Sequence, residues 1–176
     1  MRVISGSAKG RKLITLDGDE ITRPTGEKVK EAIFSSIHFD LPDANVLDLF
    51  GGSGQMGIEA VSRGAKHADI IDKNRDAIAV INQNVKSTGL EKSITVKQSD
   101  ALSYIENTRN TYDIAILDPP YASDLLLRIL PLLVSKMNEN GIIICETEAE
   151  NLPENVGNFE LYRKKKYSKT NVYHYR

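Results

Sequence analysis

Val46-Leu47-Asp48-Leu49-Phe50-Gly51-Gly52-Ser53-Gly54-Gln55-Met56-Gly57 is the stretch that decides how this chain folds. Val46 to Phe50 is an apolar run of strand length, glycines follow at once, and Ile58, Ala60 and Val61 then open a helical pattern. A strand that turns through glycines into a helix lets the backbone pass close beneath a ligand at the helix N-terminus. Asp48 adds a carboxylate inside the strand's carboxyl end.

The same alternation continues along the chain. Strand candidates fall at 46–50, 68–72, 94–98, 112–117 and 141–146, with helix candidates at 55–64, 74–88, 100–107 and 123–136. This order predicts right-handed βαβ units and a parallel sheet with helices on both faces. Residues 159–166 and 170–176 read as a closing pair of strands, where Tyr162, Tyr167, Tyr173 and Tyr175 suit extended backbone. Val3-Ile4 and Lys12-Leu13-Ile14 are expected to pair as a hairpin across Gly6-Ser7-Ala8-Lys9-Gly10. Thr25 is the expected N-cap of a helix that presents Val29, Ile33, Phe34 and Ile37 on one face. The 176 residues are expected to form one domain, with 1–45 as an N-terminal extension and 46–176 as the α/β core.

A second motif is Asp118-Pro119-Pro120-Tyr121, directly after the apolar run Ile114-Ala115-Ile116-Leu117. Two prolines end a strand abruptly, because neither donates a ladder hydrogen bond and each fixes its φ. The stiff turn presents a carboxylate, prolyl carbonyls and an aromatic ring. That set suits a planar, amine-bearing ring such as a nucleobase drawn out of its stack. The plainer reading is a proline-rich strand exit with a capping aspartate.

Gly52, Gly54 and Gly57 match the dinucleotide fingerprint Gly-x-Gly-x-x-Gly, and Asp72 lies near the spacing of the acid that binds ribose hydroxyls. A nicotinamide-dependent oxidoreductase is therefore one reading. Asp48 opposes it, because its charge repels a pyrophosphate, and the Asp-Pro-Pro-Tyr turn offers no hydride chemistry. S-adenosylmethionine combines a ribose, an adenine and an amino-acid tail, and suits the same acids better. Asp48, Asp72, Asp100 and Asp118 all fall at or just beyond predicted strand ends, where open α/β sheets bind ligands.

Net charge is -1, so total charge does not announce a nucleic-acid partner. Its distribution says more. Arg2, Lys9, Arg11 and Lys12 open the chain without an acid, and Arg163, Lys164, Lys165, Lys166, Lys169 and Arg176 close it. Every charged side chain between Lys136 and Arg163 is acidic. One face on phosphates and another kept solvated fits this asymmetry; two ordinary solvated runs fit it too. The single cysteine, Cys145, lies in an apolar run and reads as a core residue. One cysteine forms no intramolecular disulfide, no signal peptide or membrane-length apolar run is visible, and a cytoplasmic location is expected. His38, His67 and His174 lack ligand spacing, and no metal site is assigned.

With both motifs in hand, the chain resembles the RsmD-type family of class I S-adenosylmethionine-dependent methyltransferases. The resemblance runs through Arg2-Val3-Ile4-Ser5-Gly6, Lys9-Gly10-Arg11-Lys12-Leu13, Thr22-Arg23-Pro24-Thr25 and Val29-Lys30-Glu31-Ala32-Ile33-Phe34. Its closest part is Leu47 to Gly54 followed by Gly57-Ile58-Glu59-Ala60-Val61-Ser62-Arg63-Gly64. The family usually has alanine at Gly51 and often glutamate at Asp72.

The resemblance implies a three-layer Rossmann-like fold, with a seven-stranded, mostly parallel sheet whose last strand is antiparallel. It implies methylation of the exocyclic N2 of a guanine in 16S rRNA, on the small ribosomal subunit or an assembly intermediate, by a monomer. Asp118, Pro119 and Tyr121 would be catalytic. Phe50, Gly51, Gly52, Ser53 and Gly54, with Asp48 and Asp118, would hold the methionine end of the cofactor. Asp72 would take the ribose; Asp100, Ala101, Leu102, Ile71 and Lys73 would surround the adenine. Arg23 and Thr25 would close over the cofactor's carboxylate, with an RNA phosphate as the other partner for Arg23. S-adenosylhomocysteine would be the product. Lys9, Arg11, Lys12, Arg163, Lys164 and Lys165 are the expected phosphate contacts. An adenine-N6 methyltransferase, a protein-glutamine methyltransferase and a non-catalytic RNA-binding factor are the other readings.

Overall fold

The computed structural model describes residues 1–16, 24–120, 124–148 and 151–176, and Pro24 and Thr25 through their backbone alone. Helices are α1 (Pro24–Ser36), α2 (Gln55–Ser62), α3 (Arg75–Thr88), α4 (Ala101–Asn107) and α5 (Leu125–Leu133). Strands are β1 (Asn45–Asp48), β2 (His67–Asp72), β3 (Ile94–Gln98), β4 (Tyr112–Leu117), β5 (Met137–Thr147), β6 (Asn155–Val156), β7 (Phe159–Tyr167) and β8 (Thr170–Tyr175).

They form one sheet in the order β3-β2-β1-β4-β5-β8-β7-β6. β1 to β5 are parallel, and β8 inserts antiparallel between β5 and β7. The Rossmann-like architecture with an antiparallel last strand is as expected, but the strands number eight, not seven. The extra one, β6, pairs only Asn155 and Val156 with β7, too short a run to leave a hydrophobic period.

Strand side chains alternate between two apolar layers. Val46, Ile114, Ile116, Ile142 and Ile144 face α1, α2 and α3. Leu47, Ala115, Leu117, Ile143 and Cys145 face α4 and α5. The α1 face is as predicted: Val29, Ile33, Phe34 and Ile37 are all buried. The helix begins at Pro24, so Thr25 lies inside it rather than at its N-cap. Proline tolerates the first helical position because its missing N–H has no partner there anyway. β5 starts at Met137, four residues before the apolar run, because Asn138, Glu139 and Asn140 extend it with polar side chains past a break in register opposite Tyr112–Ile114.

The N-terminal hairpin closes through one antiparallel bridge, Arg2 with Lys12, and through backbone hydrogen bonds from Val3 to Arg11, Gly10 to Val3 and Leu13 to Met1, and α2 anchors its turn. Glu59 accepts from the backbone N–H of Ile4 (2.8 Å) and Ser5 (3.0 Å). Ser62 Oγ accepts from Ala8 N–H and donates to the Ser5 carbonyl. Gly6 is forced by this contact, since a Cβ there would stand 1.6 Å from the Ser62 carbonyl oxygen and its φ is +85°. Buried Glu59 also meets Lys30 Nζ at 3.4 Å and Arg63 Nε at 2.7 Å.

Candidate active site

Strand order reverses between β1 and β4, because β2 lies on one side of β1 and the chain later returns on the other. Above that reversal is a cavity of about 390 Å³. The glycine turn after β1 forms its floor, with Phe50, Gly51, Gly52 and Ser53. Asp72 and Lys73 close one side, Asp100 and Ala101 follow, and Asp118 and Pro119 form the opposite wall with Asp48 beneath. Gly54 and Leu102 do not line it. Gly54 (φ +80°) is the N-cap of α2, and Leu102 packs on the α4–α5 layer, as does buried Ile71. Arg23 and Tyr121 lie outside the described residues.

Each aspartate has a local job as well. Asp72 Oδ2 accepts from Gly52 N–H (2.9 Å) and Oδ1 from Asn74 N–H (2.8 Å), which ties the glycine turn to β2 and leaves a lone pair on each oxygen. Asp100 is the N-cap of α4, its Oδ1 accepting from Leu102 and Ser103. Ala101 opens that helix, so its N–H has no intrahelical acceptor. Asp48 accepts from Gly57 N–H within α2 at 2.9 Å.

That last bond decides between two readings of the glycines. A pyrophosphate needs the free amides of the helix N-terminus, and here a buried carboxylate has taken one of them. Gly57 serves packing instead: a Cβ there would meet the Ile70 side chain at 2.6 Å, so glycine lets α2 lie close on β2. Gly51 is restricted in the same way, 2.6 Å from Ile70. Gly52 differs. Its φ is +54°, and no protein atom stands within 4 Å of the position of a Cβ.

Electrostatics define what the cavity wants. Burial pushes Asp48 up to about 7, with Asp118 and Asp72 adding repulsion against the Gly57 hydrogen bond. Asp118 faces solvent through the cavity mouth, but protein crowds it elsewhere, and desolvation raises it to about 6. Glu146, near the end of β5, is raised to about 8 by burial and then by Asp118 and Asp48. Neither Asp118 nor Glu146 has a hydrogen-bond or ion-pair partner among the described residues. Glu146 does not itself line the cavity, but acids that raise one another, with no cation beside Asp118 or Glu146 among the described residues, favour a ligand that brings positive charge or N–H donors.

Sequence reasoning missed several contributors. Gln55 and Met56 line the cavity from the first turn of α2. Buried Asn84 donates from Nδ2 to the carbonyls of Ser53 (2.8 Å) and Ile14 (2.9 Å), and its Oδ1 accepts from Ile14 N–H. It locks the glycine turn to α3 and the N-terminal segment. Its only signal was a polar residue at a position where α3 turns inward. Among the described residues no cluster of three potential metal ligands exists, and no helix is long and apolar enough to cross a membrane.

An open sheet reversing above a glycine turn, with a buried carboxylate on one of the helix amides and acids facing the ligand space, fits a class I S-adenosylmethionine-dependent methyltransferase. The residues fit that cofactor: Asp48 and Asp118 carboxylates without a cation among the described residues for a sulfonium and an ammonium, Asp72 lone pairs for ribose hydroxyls, and an open Gly52 for close backbone approach.

Comparison with known proteins agrees. Residues 1–176 match the family model described as "Conserved hypothetical protein 95". The chain is 40% identical to "Putative rRNA methyltransferase YlbH" of Bacillus subtilis (strain 168), covering 98% of this chain and 96% of that protein. It is 35% identical to "Ribosomal RNA small subunit methyltransferase D" of Escherichia coli (strain K12), over 94% and 84%. Among solved structures, "Putative methyltransferase yhhF from Escherichia coli" superposes with a TM-score of 0.90 at 31% identity, covering 99% of this chain and 96% of that one. The chain belongs to the RsmD-type methyltransferase family.

Proposed function

We propose that this chain methylates the exocyclic N2 amine of a guanine in the 16S rRNA of the small ribosomal subunit or an assembly intermediate. The small-subunit rRNA substrate is that of the similar relatives. The observation that carries the reading is that Asp118 and Pro119 share one cavity with the glycine turn and Asp72. An amine acceptor and a cofactor pocket therefore meet.

S-adenosylmethionine, when bound, supplies a methyl group on a positively charged sulfur that departs as a neutral thioether. The chain's own residues deal with the nucleophile. The lone pair of a guanine amine is delocalised into the ring. Hydrogen bonds from its N–H groups to the Asp118 carboxylate and the Pro119 carbonyl favour a pyramidal nitrogen and stabilise the positive charge that develops on it. The nitrogen pair forms the new bond to the methyl carbon, and the departing proton goes to Asp118, directly or through water. A side chain raised to about 6 is ionised at neutral pH and still basic enough for this. Pro119 and Pro120 hold the turn ready before binding. Tyr121 would stack on the base and keep it in line.

In this reading the chain is a single cytoplasmic domain acting as a monomer, with Arg23 and Thr25 closing over the cofactor or an RNA phosphate. Lys9, Arg11 and Lys12 on the hairpin, with Arg163, Lys164 and Lys165 on β7, are exposed and suit phosphate contacts. The test is methyl transfer from labelled S-adenosylmethionine to small subunits lacking this modification, followed by nucleoside analysis. N2-methylguanosine is the expected product. Label on adenine, or on protein only, would overturn the proposal.

A further inference from the structure

We infer that Glu146 is the residue that selects guanine, by accepting the N1–H of the base whose N2 amine lies on Asp118. The inference rests on the guanine reading above and gives it a specificity element.

An Asp-Pro-Pro turn cannot choose its base alone. Adenine and guanine both offer an exocyclic amine, and a carboxylate with a prolyl carbonyl accepts from either. What separates them is the neighbouring ring nitrogen: N1 carries a hydrogen in guanine and a lone pair in adenine. A discriminator must therefore be an acceptor beside Asp118.

The sheet puts Glu146 in that place. β4 and β5 are adjacent and parallel, and their last paired row is Leu117 opposite Cys145, so Asp118 and Glu146 each stand one residue beyond that row. Leu117 and Cys145 both face the α4–α5 layer, whereas Ile116 and Ile144 face the other. By that alternation Asp118 and Glu146 share the second face. Strands lie about 4.8 Å apart, a separation that two side chains of these lengths span to adjacent donors on one ring edge. On its other side Glu146 pairs with buried Val172 of β8, so an apolar strand flanks it. The charges of Asp118 and Asp48 also act on Glu146. It makes no hydrogen bond or ion pair with a described residue. A buried acid without a partner is costly, and an N–H donor relieves it. With the positive charge of the bound cofactor favouring the ionised acid, an adenine N1 lone pair would face a carboxylate and be repelled.

The test uses small-subunit RNA in which the guanine identified by the labelling experiment is replaced by 2-aminopurine. This base keeps the 2-amine but has a lone pair at N1. The quantity read is the ratio of kcat/KM on guanine to that on 2-aminopurine, compared between wild type and variants so that intrinsic reactivity cancels. Glu146→Ala is expected to cut that ratio at least about thirtyfold, by losing rate on guanine. Glu146→Gln, whose amide N–H can donate to the N1 lone pair, is expected to cut it further. Calorimetry of S-adenosylmethionine binding should give the same affinity within about threefold for both, which shows a folded site. A ratio unchanged in either folded variant overturns the role of Glu146 while leaving the guanine reading intact. A wild-type enzyme that places no methyl group on guanine N2 overturns both.

Discussion

Two sets of desolvated acids in this molecule have opposite fates. Glu59 is sealed under the N-terminal segment and fully paired, accepting from Ile4 and Ser5 and facing Lys30 and Arg63. Asp48, Asp118 and Glu146, at the carboxyl ends of β1, β4 and β5, have no cation partner among the described residues, and desolvation raises each of them. The first group spends its charge inside the fold, so it fastens one segment to another. The second keeps its charge unspent, and that is what suits it to a cationic, donor-bearing ligand. Burial alone does not separate scaffold from site. Partnering does.

The sharpest way to break this contrast is to remove one acid from each group. Asp118→Ala should lower single-turnover methyl transfer by about a hundredfold or more, the range for a lost proton acceptor and charge stabiliser. Calorimetry should find cofactor affinity nearly unchanged; an equal loss in both would make Asp118 a cofactor ligand rather than a catalytic group. Glu59→Ala should act on stability. It leaves Lys30 buried without its acid, which costs about 3–5 kcal/mol, read as a lower urea midpoint. Replacing Lys30 and Glu59 together by Met and Leu should recover only the part due to Lys30, because Ile4, Ser5 and Arg63 still lose their acceptor. Stability unchanged in the single variant would show that the pair holds nothing. Asp72→Ala should weaken S-adenosylmethionine binding by about tenfold, as loss of hydrogen bonds to a charged acceptor does, with the transfer rate at saturation less affected.

The site was legible where residue type and strand period coincided. Asp72 and Asp118 close apolar runs, Asp48 lies inside one and Asp100 follows the mixed segment 94–98, and each was placed at or just beyond a sheet end from its position in the strand–helix alternation. The alternation of strands and helices also gave the parallel sheet, because fully buried strands are continuous apolar runs. What stayed hidden depends on distant pairing. Glu146 also ends an apolar run, but no turn motif follows it to mark it out. Lys30 and Glu59 look like solvated helix charges, since only packing brings two helices so separated in sequence together. Asn84 resembles any polar helix residue until its two carbonyl partners are known. The closing of Gly6 against Ser62 has no local signature either.

The unspent acids also predict a pH dependence, whose sign follows from linkage. A buried acid whose native value lies above its unfolded one binds a proton in the folded chain that the unfolded chain has lost. Folding stability therefore falls as pH rises from the unfolded value through the native one. For Asp48 this runs from 3.8 to about 7, and for Glu146 from 4.5 to about 8. His174, lowered to about 4 by burial, works the other way, but only below its ordinary value of 6.5. Between about pH 6.5 and 8.5 the acids act without it. The urea midpoint of the free protein should fall across that window. Saturating S-adenosylmethionine should reduce the fall, because a cation favours the ionised acids, and Asp48→Asn should flatten it without ligand. A midpoint that rises with pH in the free protein would mean that the acids are already paired.

The smallest effect expected lies far from the acids, on the exposed strand β7. Lys164 Nζ sits 5.0 Å from the Tyr173 ring centroid and Lys165 Nζ 5.2 Å from that of Tyr167, so rings from the closing hairpin steady both stems. Such exposed cation–ring contacts are worth about 0.5–1 kcal/mol, too little to govern folding. Reversing Lys165 to Glu should leave the urea midpoint nearly unchanged and weaken RNA binding severalfold. The plot of log affinity against log salt should lose about 0.7–0.9 of slope for each phosphate contact removed, for single-stranded or duplex sites respectively. A weaker complex with the same slope would place the residue against a base or a protein, not a phosphate. An unchanged complex would make this strand a solvated face. The contrast with Asp118 would then be complete, with one charge used in chemistry and the other only keeping the surface wet.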